Sequence, residues 1–216
     1  VQHPGNDALR QKLQAGDLKP EQFFAQLLRL VYRFIFLFTT EERGLLPNAA
    51  QPGDDEATAQ SRHAAAQLYA EGYAMARLRG LALRRRAYTR HDDLWQAVRI
   101  VFRGLAQGQP RLGLPALGGL FAVGQCAALD SSALSNADLL AAMKSLRWAA
   151  PAGGTLAPID YRNMGTEELG SVYECLLELH PRIDILARRF ELPEAAGGSD
   201  RKTSGSYYTP DSLVQE

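Results

Sequence analysis

The stretch from Pro20 to Gly44 constrains this chain more than any other. Phe23, Phe24, Leu27, Leu28, Leu30, Val31, Phe34, Ile35, Leu37 and Phe38 make an apolar stripe that covers most of a helix. Such a helix is buried, either among other helices or in a membrane. Its most apolar part, Leu27 to Phe38, is twelve residues long and contains Arg29 and Arg33, whereas a membrane-spanning helix needs about 20 predominantly apolar residues. The preceding residues are polar and lack the hydrophobic region and cleavage site of a signal peptide. The stripe is therefore expected at the centre of a helical bundle in a cytoplasmic protein, without a membrane partner. Cys126 and Cys175 lie far apart and form no CxxC pair, which fits a reducing compartment and gives no structural zinc site.

Around that helix the chain reads as mostly α. Residues 1–19 show no strong pattern, and Asn48 to Asp55 read as a loop. Glu56 to Arg86 is rich in helix formers, with Gly72 and Gly80 as candidate breaks. A further helix is expected from Asp92 or Asp93, either of which can cap it, through Leu94, Trp95, Val98, Val101 and Phe102 to Leu105. The glycine-rich stretch from Gly104 to Gly124 is expected as an ordered loop against the bundle. Another helix should run from Asn136 to Trp148. A Pro/Gly linker at 151–158 marks a candidate boundary. Beyond it, Thr166 is placed to cap a helix that ends at His180-Pro181, and Arg182 to Leu192 suit one or two strands. The expected organisation is an N-terminal segment over 1–19, a helical domain over 20–150, a small α/β connector over 151–200, and a distinct final segment over 201–216.

That final segment carries the chemistry. Thr209 is a good N-cap, Pro210 suits the first helical position, and Leu213 and Val214 begin an apolar face. Tyr207 and Tyr208 stand immediately before the helix start, and a basic, flexible approach precedes them. Free N–H groups at a helix start favour an anion, and two tyrosines supply aromatic walls, so the segment suits a small anionic or zwitterionic ligand.

Gly205-Ser206-Tyr207-Tyr208-Thr209-Pro210 with Leu213-Val214 resembles the motif ahead of the catalytic core in gamma-class amino-DNA methyltransferases. Leu169-Gly170-Ser171-Val172-Tyr173-Glu174-Cys175-Leu176-Leu177-Glu178 resembles a helix typical of the large restriction-modification members and of related phage-defence enzymes of the BREX-like and DISARM-like types. Thr40-Glu41-Glu42-Arg43-Gly44-Leu45-Leu46, Asp93-Leu94-Trp95 and Gly118-Gly119-Leu120-Phe121 recur there in the same order. The likeness spans roughly residues 20–216. It implies S-adenosylmethionine as cofactor, contacted by Tyr207, Tyr208, Thr209 and Pro210. It also implies double-stranded DNA as substrate, N6-methyladenine as product, and a Rossmann-like core beyond this segment. Other defence-system subunits are possible partners by the same likeness.

The sequence departs from that family in two places. It contains neither the Phe-x-Gly-x-Gly loop that approaches the cofactor nor the Asn/Asp-Pro-Pro-Tyr/Phe loop that grips a flipped adenine. No catalytic residue is therefore expected in this chain, which reads as the region ahead of a methyltransferase core and inactive by itself. Asp17-Leu18-Lys19 is too short a fragment to signal a nuclease, and the scattered histidines give no metal spacing.

The 24 basic residues balance the 24 acidic ones, so only their distribution can point to nucleic acid. Arg77, Arg79, Arg84, Arg85, Arg86, Arg90, Arg99 and Arg103 form a dense run. They either follow a phosphate backbone or make a solvated face paired to carboxylates. Arg84, Arg85 and Arg86, with Arg201 and Lys202, are the candidates for DNA contact. A non-enzymatic helical module that binds DNA or a defence-system partner is the alternative reading.

Overall fold

The computed structural model describes residues 1–48, 53–149, 155, 157–165, 167–168, 170–172, 181–184, 186–187 and 189–191. These residues are predominantly α-helical, with two short antiparallel strand pairs. By contact the chain divides into two units, one of Val1–Leu28 with Asn163 onwards, the other of Arg29–Arg162. The division near the N-terminus falls inside the long apolar helix, between Leu28 and Arg29.

In the first unit, helix α1 (Asp7–Ala15) occupies residues that carry no strong sequence pattern. It is short, and its core positions are only Leu9 and Leu13. Gly16 ends it in the left-handed conformation at φ 81°. The buried Arg10 guanidinium folds the chain start over the helix, donating to the carbonyls of Val1 (2.8 Å), His3 (2.8 Å) and Pro4 (3.1 Å) and pairing with Asp7. Strands β3 (Arg182–Asp184) and β4 (Arg189–Glu191) form a hairpin, the two-strand form of the one-or-two-strand expectation. The Phe190 ring meets Phe23 edge-on at 5.8 Å. Helical backbone is present at 167–168 and 170–172; the rest of the helix expected there lies outside the described residues.

Helix α2 (Pro20–Glu42) begins on the proline and stops just before Gly44, as its pattern predicts. It is longer than its most apolar part. Among the described residues it is the one helix long and apolar enough, by length and composition, to cross a membrane. Its C-terminal half nevertheless lies inside the second unit, with Phe34, Ile35, Leu37 and Phe38 buried there. Burying each such side chain stabilises by about 1.5–3 kcal/mol.

The rest of the second unit is built around that half. Helix α3 (Glu56–Gly72) is capped by Asp55, whose carboxylate accepts from the Thr58 N–H at 2.7 Å. Hydrogen bonding from Thr58 holds Asp55 below the usual carboxylate range. Helix α4 (Met75–Leu81) follows directly. Helix α5 (Asp93–Gln107) turns Leu94, Trp95, Val98, Val101, Phe102 and Leu105 inward, and Trp95 donates from Nε1 to the Ser132 carbonyl at 2.8 Å. Phe102 meets Phe34 at 5.8 Å and Phe121 at 5.9 Å, which fixes the glycine-rich loop against the bundle.

Neither Asp92 nor Asp93 caps α5, contrary to the sequence reading. Asn136 does, its Oδ1 accepting from the Leu94 N–H at 3.1 Å while its Nδ2 donates to Thr89 Oγ1 and Asp93 Oδ1. The Asp92 carboxylate is taken by Gln96 Nε2 instead. A short helix α6 (Ala127–Asp130) precedes α7 (Asn136–Arg147), which Ser135 caps. Strands β1 (Trp148–Ala149) and β2 (Ala157–Pro158) pair antiparallel at the ends of the expected linker.

Candidate nucleic-acid interface

The residues expected to hold the cofactor, Tyr207, Tyr208, Thr209 and Pro210, lie outside the described residues, as do Arg201 and Lys202. Of the sequence-selected site residues, Arg84, Arg85 and Arg86 are described. Helix α4 ends at Leu81, and the backbone turns through bonds from Leu83 N to Gly80 O (3.3 Å) and from Arg84 N to Leu81 O (2.8 Å). A 3-10 turn at Arg85–Ala87 follows. Tyr88 pins this turn onto the bundle, its hydroxyl donating to the carbonyls of Ala82 (2.8 Å) and Leu140 (3.4 Å). The three arginines are exposed on a fixed backbone, with no acceptor or carboxylate partner among the described residues.

Beside them lies a shallow hollow lined by Leu83, Lys144, Ser145 and Trp148. Leu83 is 55% exposed, and the Arg147 guanidinium lies over the Trp148 ring, 5.6 Å from its centroid. Cations on a turn next to an apolar and aromatic surface suit phosphates and the flat faces of bases or sugars. The binding such a surface gives is sequence-blind and salt-dependent.

Other members of the arginine run are placed elsewhere, Arg99 and Arg103 lining a separate cavity. Arg79 turns inward to pair with Glu42 and stacks over Phe38 (5.2 Å) and Tyr161 (5.3 Å). It belongs to a latch made by three consecutive residues of the α2 end. Glu41 accepts from the Tyr69 hydroxyl (2.6 Å) and from the first N–H groups of α4, Met75 (2.8 Å) and Ala76 (2.9 Å). Glu42 also accepts from the Arg162 N–H at 3.1 Å, and Arg43 donates to the Arg162 carbonyl at 2.9 Å. Burial pushes the Glu41 carboxyl up, outweighing its hydrogen bonds. Burial likewise raises the Tyr161 hydroxyl to about 12; it donates to the Leu146 carbonyl at 2.5 Å. In the sequence, Thr40-Glu41-Glu42-Arg43 reads only as a helix end and a family likeness. Two carboxylates at the end of so apolar a helix were the available signal that something buried needed them.

No group of three or more His, Cys, Asp and Glu residues suited to a metal occurs among the described residues. No family model, curated protein or solved structure matches the chain.

Proposed function

We propose that this chain is the helical region ahead of the catalytic core of a DNA adenine-N6 methyltransferase acting in restriction-modification or phage defence. The observation that carries the reading is one of sequence. The Gly205–Pro210 motif follows the Leu169–Glu178 helix motif, and three further family segments precede both in the same order. In the whole protein, S-adenosylmethionine is the methyl donor, and Tyr207, Tyr208, Thr209 and Pro210 contact it. The core beyond this region has a Rossmann-like fold, and the adenine amine attacks the sulfonium methyl directly, with the protein supplying alignment. The helical region supplies a scaffold and, through Arg84, Arg85 and Arg86 with Arg201 and Lys202, contact to DNA phosphates. Its setting is the cytoplasm. The test is cofactor binding by the protein that carries this chain ahead of such a core. Tyr208→Ala with Thr209→Ala should weaken S-adenosylmethionine binding by about tenfold or more, and unchanged affinity would remove the site assignment.

A second reading rests on the Arg84–Arg86 turn, exposed and unpaired among the described residues. On it, the chain is a non-enzymatic helical module that binds DNA or a defence-system partner. The chain alone should then bind duplex DNA with a slope of log affinity on log salt of about −0.9 per phosphate contacted. Replacing all three arginines by glutamine should flatten that slope. A wild-type response already flat in salt would set this reading aside.

A further inference from the structure

A second basic constellation shares no residue with the Arg84–Arg86 turn. A cavity of about 220 Å³ opens among α2, α5, the 3-10 turn at Gly119–Phe121 and α6. Phe102 and Phe121 wall it, and Arg33, Arg99 and Arg103 line it together with one carboxylate, Asp130. Three cations against one anion leave a local excess of positive charge in a chain whose charges balance overall.

Arg33 is the unusual member. It is 2% exposed, in the middle of the most apolar helix of the chain. A buried charge is tolerated when it is closely paired and fully hydrogen-bonded. Arg33 donates from Nε to the Leu120 carbonyl at 3.0 Å, and from Nη1 to Asp130 at a long 3.3 Å. The Asp130 side chain is itself 44% exposed, so it is a partly solvated partner. The faces of Phe102 (5.1 Å) and Phe121 (5.6 Å) supply the remaining support. A guanidinium has five N–H donors, and protein acceptors among the described residues take two of Arg33's. Arg99 gives one bond to Gln96 at 3.0 Å, and Arg103, one turn further along α5, is exposed and has no protein partner among the described residues.

A carboxylate is satisfied by one bidentate guanidinium, whereas a phosphoryl group offers enough acceptor oxygens for three. The volume equals about seven waters of liquid, room for a phosphoryl group and a small substituent. We propose that the cavity lined by Arg33, Arg99 and Arg103 binds a phosphoryl group, carried either by a small organic phosphate or by a nucleic-acid backbone. This holds whether or not the methyltransferase reading does, because it uses none of the residues that reading rests on.

The test is calorimetric titration of the 216-residue chain with inorganic phosphate at fixed ionic strength, repeated with a short DNA duplex as competitor. Arg103→Gln is the main variant, since its exposed side chain supports nothing else and folding can be confirmed by circular dichroism. Arg99→Gln is the second, and Arg111→Gln, an exposed arginine of another turn, is the control. Loss of one charge-assisted hydrogen bond should weaken phosphate binding roughly tenfold in Arg103→Gln and in Arg99→Gln. The control should change it less than about twofold. Phosphate binding displaced by the duplex assigns the group to a nucleic-acid backbone, and binding the duplex leaves untouched assigns it to a small organic phosphate. No binding at about 20 mM phosphate, a concentration that reveals even millimolar affinity, overturns the proposal. So does equal weakening in Arg111→Gln.

Discussion

Replacing Glu41 by alanine should cost the second unit much of its stability. The carboxylate does two jobs at once. It takes the first two N–H groups of α4, Met75 and Ala76, and it takes the hydroxyl of Tyr69, a side chain only 1% exposed. Losing a helix cap costs about 1 kcal/mol, within a range of roughly 0.5–2. Stranding a buried hydroxyl costs about 1–3 kcal/mol more. The two together predict a loss of roughly 2–4 kcal/mol, or a melting point lowered by roughly 4–16 °C for a chain of this size. Urea unfolding followed through the fluorescence of buried Trp95 measures it, with Tyr69→Phe and the double variant completing a cycle. The pair should couple by about 0.5–3 kcal/mol. A loss under about 1 kcal/mol, or strict additivity with Tyr69→Phe, would refute the latch. The pH dependence gives a separate check. Burial raises the folded carboxyl above its ordinary value of 4.5. The folded state therefore holds the proton more tightly than the unfolded chain does. Glu41's stabilising contribution is fully present below that value and declines as pH rises through the raised one. The gap between wild type and Glu41→Ala should narrow over that window; a gap that widens with pH would mean that hydrogen bonding, not burial, controls the group.

Asn136→Ala should destabilise by about 2–3 kcal/mol, because it removes the α5 cap and leaves Thr89 and Asp93 without their donor. Asn136→Asp keeps the acceptor but sets a second carboxylate beside Asp93, so it should not restore stability; thermal melts of the two variants check both points. Gly104→Ala should lower stability by about 1 kcal/mol although alanine is the better helix former, since overpacking costs about 1–3 kcal/mol against a gain of about 1. The added Cβ would lie 2.8 Å from Leu114 Cδ1 and 3.1 Å from Gln109 Cβ, and the paired backbone bonds between Gln109 and Leu114 keep that loop from retreating. A melting point at or above that of the wild type would show that the loop yields.

What could be read from the sequence was whatever depends on residues near one another in the chain. The start and stop of α2 follow from Pro20, its stripe and Gly44. The inward face of α5 follows from the spacing of Leu94, Trp95, Val98 and Phe102. The missed features depend on distant partners. Asp92 and Asp93 are chemically good caps, but Asn136 reaches the Leu94 N–H from another helix and takes the position. Helix α1 has too few apolar residues to announce itself, and Arg10 completes it by gathering the carbonyls before it. The arginine run looked like one surface because its members are close in sequence. The fold sends Arg79 inward to Glu42, Arg99 and Arg103 to a cavity with Arg33, and Arg84–Arg86 to an exposed turn.

The segments that carry the family likeness in the described part of the chain have one property in common, which limits what they can say about activity. Glu41, Glu42 and Arg43 hold α4 and Arg162. Trp95 ties α5 to Ser132, and Phe121 closes on Phe102 and Phe36. Each spends most of its polar or aromatic groups on the protein itself; Phe121 alone of these also walls the Arg33 cavity. Residues of this kind transmit a scaffold, and a scaffold hosts many activities. The case for methyl transfer therefore rests on Tyr207–Pro210, and the case for nucleic acid on arginines that the scaffold leaves unpaired. The two can fail separately. Loss of cofactor binding without loss of DNA binding, or the reverse, would locate the chemistry in one of them alone.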